Sequence, residues 1–266
     1  MTEVEKWIEA WANVPQPGMY PADKPYLEKV QEELDGSRRG DKQLYTGSFD
    51  PKEKPNGKFH CRLGAVPYVG DLRKAQIFLL MVNPGVRRSD YDELDNDDVQ
   101  GLLTRNRLQT FNHCFALTEP GVERQGWVDY FRNSVFGTLI REFPKECSEL
   151  LKATLRAKLA ILELVPYFSQ TVALIDGCNV VDETRAVGLG DVKGLPSARL
   201  ALNAAAEIAS DTRNLIITRW PTGAKRWHLK TDGKLNKNVI AKVVESHPRT
   251  GLGKEAKAAI LQKLTR

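Results

Sequence analysis

The sequence predicts an α/β fold of three layers, αβα, with helices on both faces of a central, mostly parallel four-stranded sheet. One observation is that four short runs are apolar at nearly every position, as strands buried on both faces are. Another is that segments with helical spacing separate most of these runs, which favours parallel strands joined by helical crossovers. The four predicted strands are residues 75–82, 160–166, 214–219 and 238–245.

The first 60 residues differ in character from the rest of the chain. Residues 1–35 carry apolar side chains at helical spacing, including Trp7 and Trp11, and are then broken by prolines. Residues 36–60 are polar and rich in glycine and proline. We therefore predict an N-terminal helical extension and polar loop over residues 1–60, and an α/β domain over residues 61–266.

Helices are predicted between and after the strands. Residues 127–143 place aromatic and aliphatic side chains on one side, and residues 146–158 continue as a second helix. Ser197 is predicted to cap a helix that runs to about Ala209. A basic amphipathic helix from Lys254 to Leu264 follows the last strand.

Composition excludes several classes of protein. No apolar run approaches the ~18 residues that a membrane span requires, and charges interrupt the first apolar group, so we expect no signal peptide and a cytoplasmic location. The four cysteines are more than 30 residues apart, which argues against a zinc ribbon or an iron–sulfur cluster. We expect no metal, no cofactor and no membrane partner. The net charge of +5 permits a polyanionic partner.

Polar tips that contain proline follow three of the predicted strands. They are Asn83-Pro84, Trp220-Pro221 and His247-Pro248. Because the carboxyl ends of parallel strands meet at one edge of the sheet, these tips are expected to converge there. Each taken alone can also be an ordinary strand-ending turn, as Asn-Pro-Gly often is.

Asn83 and His247 at one edge suit a particular type of hydrolysis. An amide oxygen can orient a water molecule, and an imidazole can stabilise a developing anion by donating a hydrogen bond. No carboxylate lies beside Asn83 in the sequence, so general-base hydrolysis is not indicated. The pair fits a reaction in which the bond breaks early to a cation and an anion, such as N-glycosidic cleavage.

Residues Met81–Gly85 resemble the first motif of the uracil-DNA glycosylase superfamily, in its Asn-Pro-Gly form. Ser246–Arg249 resembles the second, His-Pro motif. Phe111–Phe115 is similar to the aromatic segment that stacks on an extruded base, and Pro67–Asp71 fits the lead-in to the first strand. The order of motifs and strands agrees with the family over about residues 62–253.

The resemblance implies a uracil-DNA-glycosylase-like fold and a monofunctional DNA N-glycosylase, expected to be a monomer, which flips a base out of DNA and leaves an abasic site. Asn83 would hold the attacking water and His247 would stabilise the leaving base. The residues expected to contact the base are Glu163, Phe115, Phe111, Pro84 and Gly85. The residues expected to contact DNA are Arg249, Arg219, Arg226, Lys254 and Leu252, the last one position away from where the family places a leucine that enters the duplex.

Glu163 departs from the family pattern, because uracil-specific members usually place an asparagine there. An ionised glutamate only accepts hydrogen bonds, so it would repel uracil O4 and accept from the exocyclic amine of cytosine. Ordinary cytosine cannot be the target in a host genome, so a substituent at C5 would have to select the base. Hydroxymethylated or glucosylated cytosine in phage DNA is such a target, which predicts antiviral defence. The alternative is that Glu163 lies outside the pocket and pairs with a lysine or arginine.

Other functions fit parts of the same pattern. One is a uracil or thymine-mismatch repair glycosylase. A second is a catalytically silent nucleic-acid-binding module on the same fold, which the amide at Asn83 in place of an acid leaves open. A third is an unrelated nucleotide or nucleoside hydrolase, although the chain has neither a glycine-rich phosphate loop motif nor a carboxylate cluster for a metal.

Overall fold

The computed structural model describes the greater part of the sheet and its covering helices. The described residues are 1–15, 18–25, 63–82, 84, 97–110, 114, 117, 131, 135–141, 145–168, 195–219, 224, 227–231, 234–246 and 251–265, with only the backbone described at 138, 145–148 and 231.

A mixed five-stranded sheet forms the centre of the molecule. Its strands are β1 (Tyr68–Val69), β2 (Ile77–Met81), β3 (Leu159–Glu163), β4 (Leu215–Arg219) and β7 (Lys242–Ser246). They lie in the order β1-β3-β2-β4-β7, and every neighbouring pair is parallel except β1 with β3. A separate antiparallel pair consists of β5 (Lys230–Thr231) and β6 (Lys234–Leu235). The described sheet is thus the predicted α/β type and mostly parallel.

Helices cover both faces of this sheet. They are α1 (Glu3–Ala12), α2 (Asp97–Arg107), α3 (Gly137–Arg141), α4 (Lys145–Lys158), α5 (Pro196–Ala209) and α6 (Lys254–Leu264), with a short 3-10 turn at Pro21–Asp23. Successive side chains of a strand point to opposite faces, so each strand supplies two cores. Phe78 and Leu80 of β2 pack with α1 and α5 on what we call the α1 face. Leu79 and Met81 pack with α2, α3, α4 and α6 on the α6 face.

All residues of β2, β3 and β4 are buried, which explains why their sequences are apolar at nearly every position. The edge strand β1 was not predicted, so the described sheet has one strand more than the four expected. It contains only two residues, and side chains of α2 satisfy the chain beside it: Asn106 accepts from the Gly70 N–H at 2.9 Å and donates to the Tyr68 carbonyl at 2.7 Å. A strand whose outer edge is satisfied by side chains gives no periodic signal in the sequence.

Two predicted boundaries are wrong. The last strand begins at Lys242 and not at residue 238, because the N–H groups of Ile240 and Ala241 both donate to the Ala209 carbonyl at the end of α5. Ser197 does not cap α5, which begins at Pro196. The buried carboxylate of Asp23 instead accepts from the Ser197 N–H at 2.9 Å.

The described part of the N-terminal extension packs on the sheet domain. Trp7 and Trp11 of α1 are fully buried in the core of the α1 face. The Val4 N–H donates to the carboxylate of Glu207 on α5 at 3.0 Å, and Arg73 pairs with Glu5. The division at residue 60 stays a prediction, but α1 shares its hydrophobic core with β2 and α5.

Candidate active site at the carboxyl edge of the sheet

The connections between the parallel strands create a crevice at one position of the sheet. The chain leaves β2 toward β3 on one side, and it leaves β4 toward β7 on the other side. The topological switch point therefore lies between the carboxyl ends of β2 and β4. In open α/β sheets this crevice is where ligands bind. The switch point directly adjoins the segment that begins with Asn83.

The last residues of the four parallel strands form a row, which we call the edge row: Glu163, Met81, Arg219 and Ser246. Met81 is in register with Glu163, and Arg219 is in register with Ser246. The pairing of Leu80 with Thr218 aligns Met81 with Arg219. The alternation of each strand turns all four side chains to the α6 face. Strand spacing places Glu163 and Arg219 about 10 Å apart, with Met81 between them.

The two predicted catalytic residues, Asn83 and His247, lie outside the described residues. The strands that lead into them are described, and both run to the same edge. Their last members, Met81 and Ser246, are separated only by Arg219 of β4. The chain thus enters both predicted motifs from one edge, at points two strand spacings or about 10 Å apart.

The backbone that leads into Asn83 is firmly held. The Val82 carbonyl accepts from the Val165 N–H at 2.8 Å. The Met81 carbonyl accepts from the indole N–H of Trp227 at 2.9 Å and from the Leu164 N–H at 3.3 Å. Trp227 is itself fully buried. Its role was missed from the sequence, where it stands in a basic segment with no apolar periodicity to mark it as a core residue.

Two residues of the edge row fasten the chain beyond His247. The Ser246 hydroxyl accepts from the Gly253 N–H at 3.0 Å. The Arg219 guanidinium donates through Nη1 to the Gly251 carbonyl at 3.2 Å. Both bonds tie the far end of the His247 segment back to the sheet. Ser246 was predicted only as part of the second motif, and no local signal in the sequence pairs it with Gly253.

Arg219 and Leu252 were both expected to contact DNA. The structure gives Arg219 a buried position, 4% exposed, with Gly251 as a partner, where the sequence predicted an exposed phosphate contact. Leu252 is 5% exposed and packs with Ala256 in the core of the α6 face. A residue that enters a duplex has to be at the surface, so the described conformation gives Leu252 a packing role.

Of the other residues predicted to contact the base or DNA, some lie within the described part of the chain and some outside it. Lys254 is the first residue of α6 and is exposed. It directly follows Gly253, whose N–H donates to the Ser246 hydroxyl. Pro84 is buried at the end of β2. Cys114, inside the predicted aromatic segment, is buried, and its N–H donates to the Arg156 carbonyl in the last turn of α4 at 2.9 Å. Predicted residues outside the described part are Phe111, Phe115, Gly85, Arg226 and Arg249.

Glu163 is the most unusual group in the edge row. It is 1% exposed, and its Oε2 has no hydrogen-bond partner. Burial raises the pKa of the Glu163 carboxyl well above its ordinary value, because desolvation disfavours the charged form. The raised pKa favours the protonated form of the carboxyl, which has one O–H donor and an acceptor oxygen.

This finding bears on both expectations for Glu163. The sequence interpretation assumed an ionised carboxylate that only accepts hydrogen bonds, whereas burial favours the protonated form. Within the described part of the chain Glu163 also makes no ion pair, so the alternative of a lysine or arginine partner is not met there. A neutral carboxyl is a donor as well as an acceptor, as an asparagine amide is.

A cavity of about 330 Å³ lies at the opposite, amino edge of the sheet. Its charged side chains have partners: Arg73 pairs with Glu5, Lys74 with Asp71 outside the lining, and Arg213 with Asp211, while Glu207 accepts from the Val4 N–H. These pairs satisfy the groups that would otherwise recognise a ligand. The edge row, with its unpartnered carboxyl, is the better candidate site.

The described residues contain neither a cluster of metal ligands nor a membrane-spanning helix. No group of three or more His, Cys, Asp or Glu side chains in that part of the chain is arranged to hold a metal ion. None of the helices found there is long and apolar enough to cross a membrane.

Comparisons of the chain with models of known families, with curated proteins and with solved structures give no significant match. Membership of the uracil-DNA glycosylase superfamily therefore stays a prediction that rests on the two short motifs and the order of strands.

Proposed function

We propose that the protein is a monofunctional DNA glycosylase that hydrolyses the N-glycosidic bond of a flipped base at the edge row. The observation that carries this proposal is the common edge of β2 and β7. These strands lead into Asn83 and His247 from either side of β4, next to the switch point of the sheet. Unpartnered Glu163 ends the neighbouring strand, β3.

In the proposed reaction the two motifs have different roles. The C1′–N1 bond of the flipped nucleotide breaks first, which leaves positive charge on the sugar and the bonding electrons on the base. His247 stabilises the base by donating a hydrogen bond, and Asn83 positions the water that captures the sugar. The described residues that flank both motifs are held by hydrogen bonds, which favours such catalysis because positioned groups lose less entropy during the reaction.

DNA as the partner is supported by charge and by shape. The chain carries a net charge of +5, and Lys254 is exposed beside the segment that contains His247. A base inside a duplex cannot reach a crevice at a sheet edge, so the nucleotide has to leave the stack before reaction. The phosphates on either side would lie against Lys254 and its neighbours.

The neutral carboxyl of Glu163 bears on the choice of base. Cytosine presents an acceptor at N3 and a donor at its exocyclic amine, so a neutral acid can pair with both. Uracil presents N3–H and O4, which a neutral acid can also satisfy. We propose a cytosine with a substituent at C5 as the substrate, consistent with defence against phages with modified DNA. Uracil or thymine-mismatch repair is the second candidate, which the donor capacity of Glu163 favours.

A panel of duplexes tests this function. Each duplex carries one uracil, one thymine mismatch, one hydroxymethylcytosine or one glucosylated cytosine, and strand cleavage after alkali reports the abasic site. We expect cleavage with modified cytosine and a loss of at least about 100-fold in Asn83→Ala. Asn203→Ala, an exposed position on α5, is the matched control and is expected to keep full activity.

The same panel separates the alternatives. Cleavage of uracil or mismatch duplexes alone would favour a repair glycosylase. Tight binding without abasic sites on any duplex would favour the silent binding module. Activity that disappears on addition of a chelator would favour a metal-dependent nucleoside hydrolase.

A further inference from the structure

A buried carboxyl with a free oxygen is costly, and folded proteins seldom keep one without a purpose. Glu163 is the last residue of β3 and is in register with Met81 of β2. Met81 precedes Asn83 by two residues in the sequence. Its main-chain N–H donates to the Pro67 carbonyl at 2.9 Å, which fixes the backbone on the β1 side. The side chain is therefore held at the proposed site with an oxygen, Oε2, that has no partner.

The described surroundings of this carboxyl favour its protonated form. The neighbouring strand β2 places Met81 beside it, and the nearest charged member of the edge row, Arg219, is two strands away and donates to the Gly251 carbonyl. The helices of the α6 face turn apolar side chains to the sheet: Leu103 from α2, Leu139 from α3, Leu155 from α4 and Ile260 from α6. Burial raises the Glu163 pKa because desolvation disfavours the charged form.

We propose that Glu163 is a catalytic general acid that transfers its proton to the ring N3 of a flipped cytosine-type base. This inference rests on the glycosylase function proposed above and assigns the residue that makes cytosine a leaving group. Uracil can leave as an anion that two carbonyl groups stabilise. Cytosine has only one carbonyl group, so protonation at N3 is the efficient way to remove its charge as the bond breaks.

The step balances without a further reactant. The O–H of Glu163 gives its proton to N3, and the C1′–N1 bond breaks with both electrons left on N1, so the base departs neutral. Water adds to C1′ of the sugar cation and loses a proton to solvent. The Glu163 carboxylate then takes up a proton from solvent, which restores the acid for the next turnover.

An amide cannot replace the acid in this role, although it can form the same hydrogen bonds. A glutamine side chain donates to N3 and accepts from the exocyclic amine, but it transfers no proton. With uracil, N3 already carries a hydrogen and no transfer is needed. Glu163→Gln therefore separates recognition of the base from acid catalysis.

The test is a single-turnover comparison of wild type and Glu163→Gln on duplexes that carry one hydroxymethylcytosine or one uracil. We expect the variant to lose 100-fold to 10,000-fold, the usual range for general acid catalysis, in cleavage of the modified cytosine, with about unchanged DNA affinity. Its rate on uracil is expected to fall far less than its rate on the modified cytosine, because uracil needs no proton transfer to N3. Equal rates of the two proteins on modified cytosine would overturn the proposal.

A second measurement stands independently of the variant. The wild-type rate on hydroxymethylcytosine is expected to fall as pH rises through the raised pKa of Glu163, whereas the rate on uracil does not follow this fall. Parallel profiles for the two bases would overturn the acid role. Wild type that cleaves uracil but no cytosine derivative would remove the acid role and leave the glycosylase standing, whereas no abasic site on any duplex would remove both.

Discussion

Glu163 shows how a single residue can make stability depend on pH. Its folded-state pKa is raised by burial, so the folded protein binds this proton more tightly than the unfolded chain does. The resulting stability is full below the ordinary carboxyl pKa and is lost as pH rises toward the raised value. Asp23 is a second buried carboxyl whose pKa burial raises, and it contributes with the same sign.

The first prediction follows from this linkage. Glu163→Gln removes the titrating group, so the free energy of unfolding is expected to fall less steeply above about pH 4.5 than in wild type, by up to about 1.4 kcal/mol per pH unit. Urea unfolding at several pH values measures the slope. Glu9→Gln, at an exposed position of α1, is the control. Identical slopes in wild type and Glu163→Gln would show that Glu163 is not kept neutral by the fold.

The second prediction concerns Gly70, whose backbone conformation and close neighbours favour glycine. Gly70 has a φ of +104°, and a Cβ at this position would lie 2.5 Å from the Leu159 carbonyl oxygen. Gly70→Ala is expected to cost at least about 2 kcal/mol, because backbone strain and the close contact add together. Gly101→Ala in α2 meets no atom within 4 Å and is expected to stabilise by about 0.5–1 kcal/mol. Similar thermal shifts for both variants would contradict the described geometry of the β1 edge.

At the scale of elements, the segment after β7 is held from the sheet. Arg219 donates to Gly251 and Ser246 accepts from Gly253, so the edge row fixes the far side of the stretch that contains His247. Under the proposed function, this arrangement predicts that Arg219 is a positioning residue, which acts through the main chain of the segment. A phosphate contact would instead act on affinity for DNA.

The third prediction separates these two roles. Arg219→Met is expected to lower kcat for base release at least about 10-fold with a small change in KM, and Arg219→Lys is expected to restore part of the loss. Lys254→Met is the comparison: it is expected to weaken DNA binding and to reduce the salt slope by about one. If Arg219→Met reduced the salt slope in the same way and left kcat unchanged, Arg219 would be a phosphate contact.

Some strands of the sheet could be predicted from the sequence, and others could not. The strands β2, β3 and β4 could be predicted because both of their faces are buried, which leaves a continuous apolar run. The short edge strand β1 could not, since the Asn106 amide that satisfies its outer side comes from a helix 36 to 38 positions further along the chain. The cap of α5 was missed for the same reason, because Asp23 reaches Ser197 across 174 positions.

The site was predictable only in part. Two short motifs placed Asn83 and His247 at one edge, and the parallel register of the strands that lead into them agrees with that placement. The raised pKa of Glu163 was not predictable, because it depends on burial that only the folded chain creates. Trp227 was missed because only the folded chain brings its indole to the Met81 carbonyl.

For the molecule as a whole, the N-terminal helix belongs to the same hydrophobic core as the sheet. Trp7 packs edge-on against Tyr68 with ring centroids 5.1 Å apart, and Trp11 is completely buried. The guanidinium of Arg107 lies 5.9 Å from the Trp11 ring and donates to the Pro15 carbonyl at 3.0 Å. The described part of the predicted extension is therefore expected to unfold together with the α/β domain.

The fourth prediction tests this coupling. Trp11→Ala is expected to destabilise the whole protein by about 3–5 kcal/mol, the usual cost of removing a fully buried tryptophan. The matched control is Leu150→Ala on α4, where the residue is 73% exposed and the expected change is within about 0.5 kcal/mol. Denaturant unfolding followed by circular dichroism measures both. A loss under about 1 kcal/mol for Trp11→Ala would mean that α1 contributes little to the stability of the sheet.

We propose that the carboxyl edge of the sheet hydrolyses the bond between a flipped base and its sugar. The most direct measurement is the amount of free base released from a duplex with one hydroxymethylcytosine, quantified by chromatography under single-turnover conditions. Wild type and the exposed control Asn203→Ala are expected to release base in step with abasic sites, and Asn83→Ala and His247→Ala to release at least about 100-fold less. Release by Asn83→Ala and His247→Ala at the wild-type rate, or DNA binding by wild type with no base released from any duplex of the panel, would contradict the account.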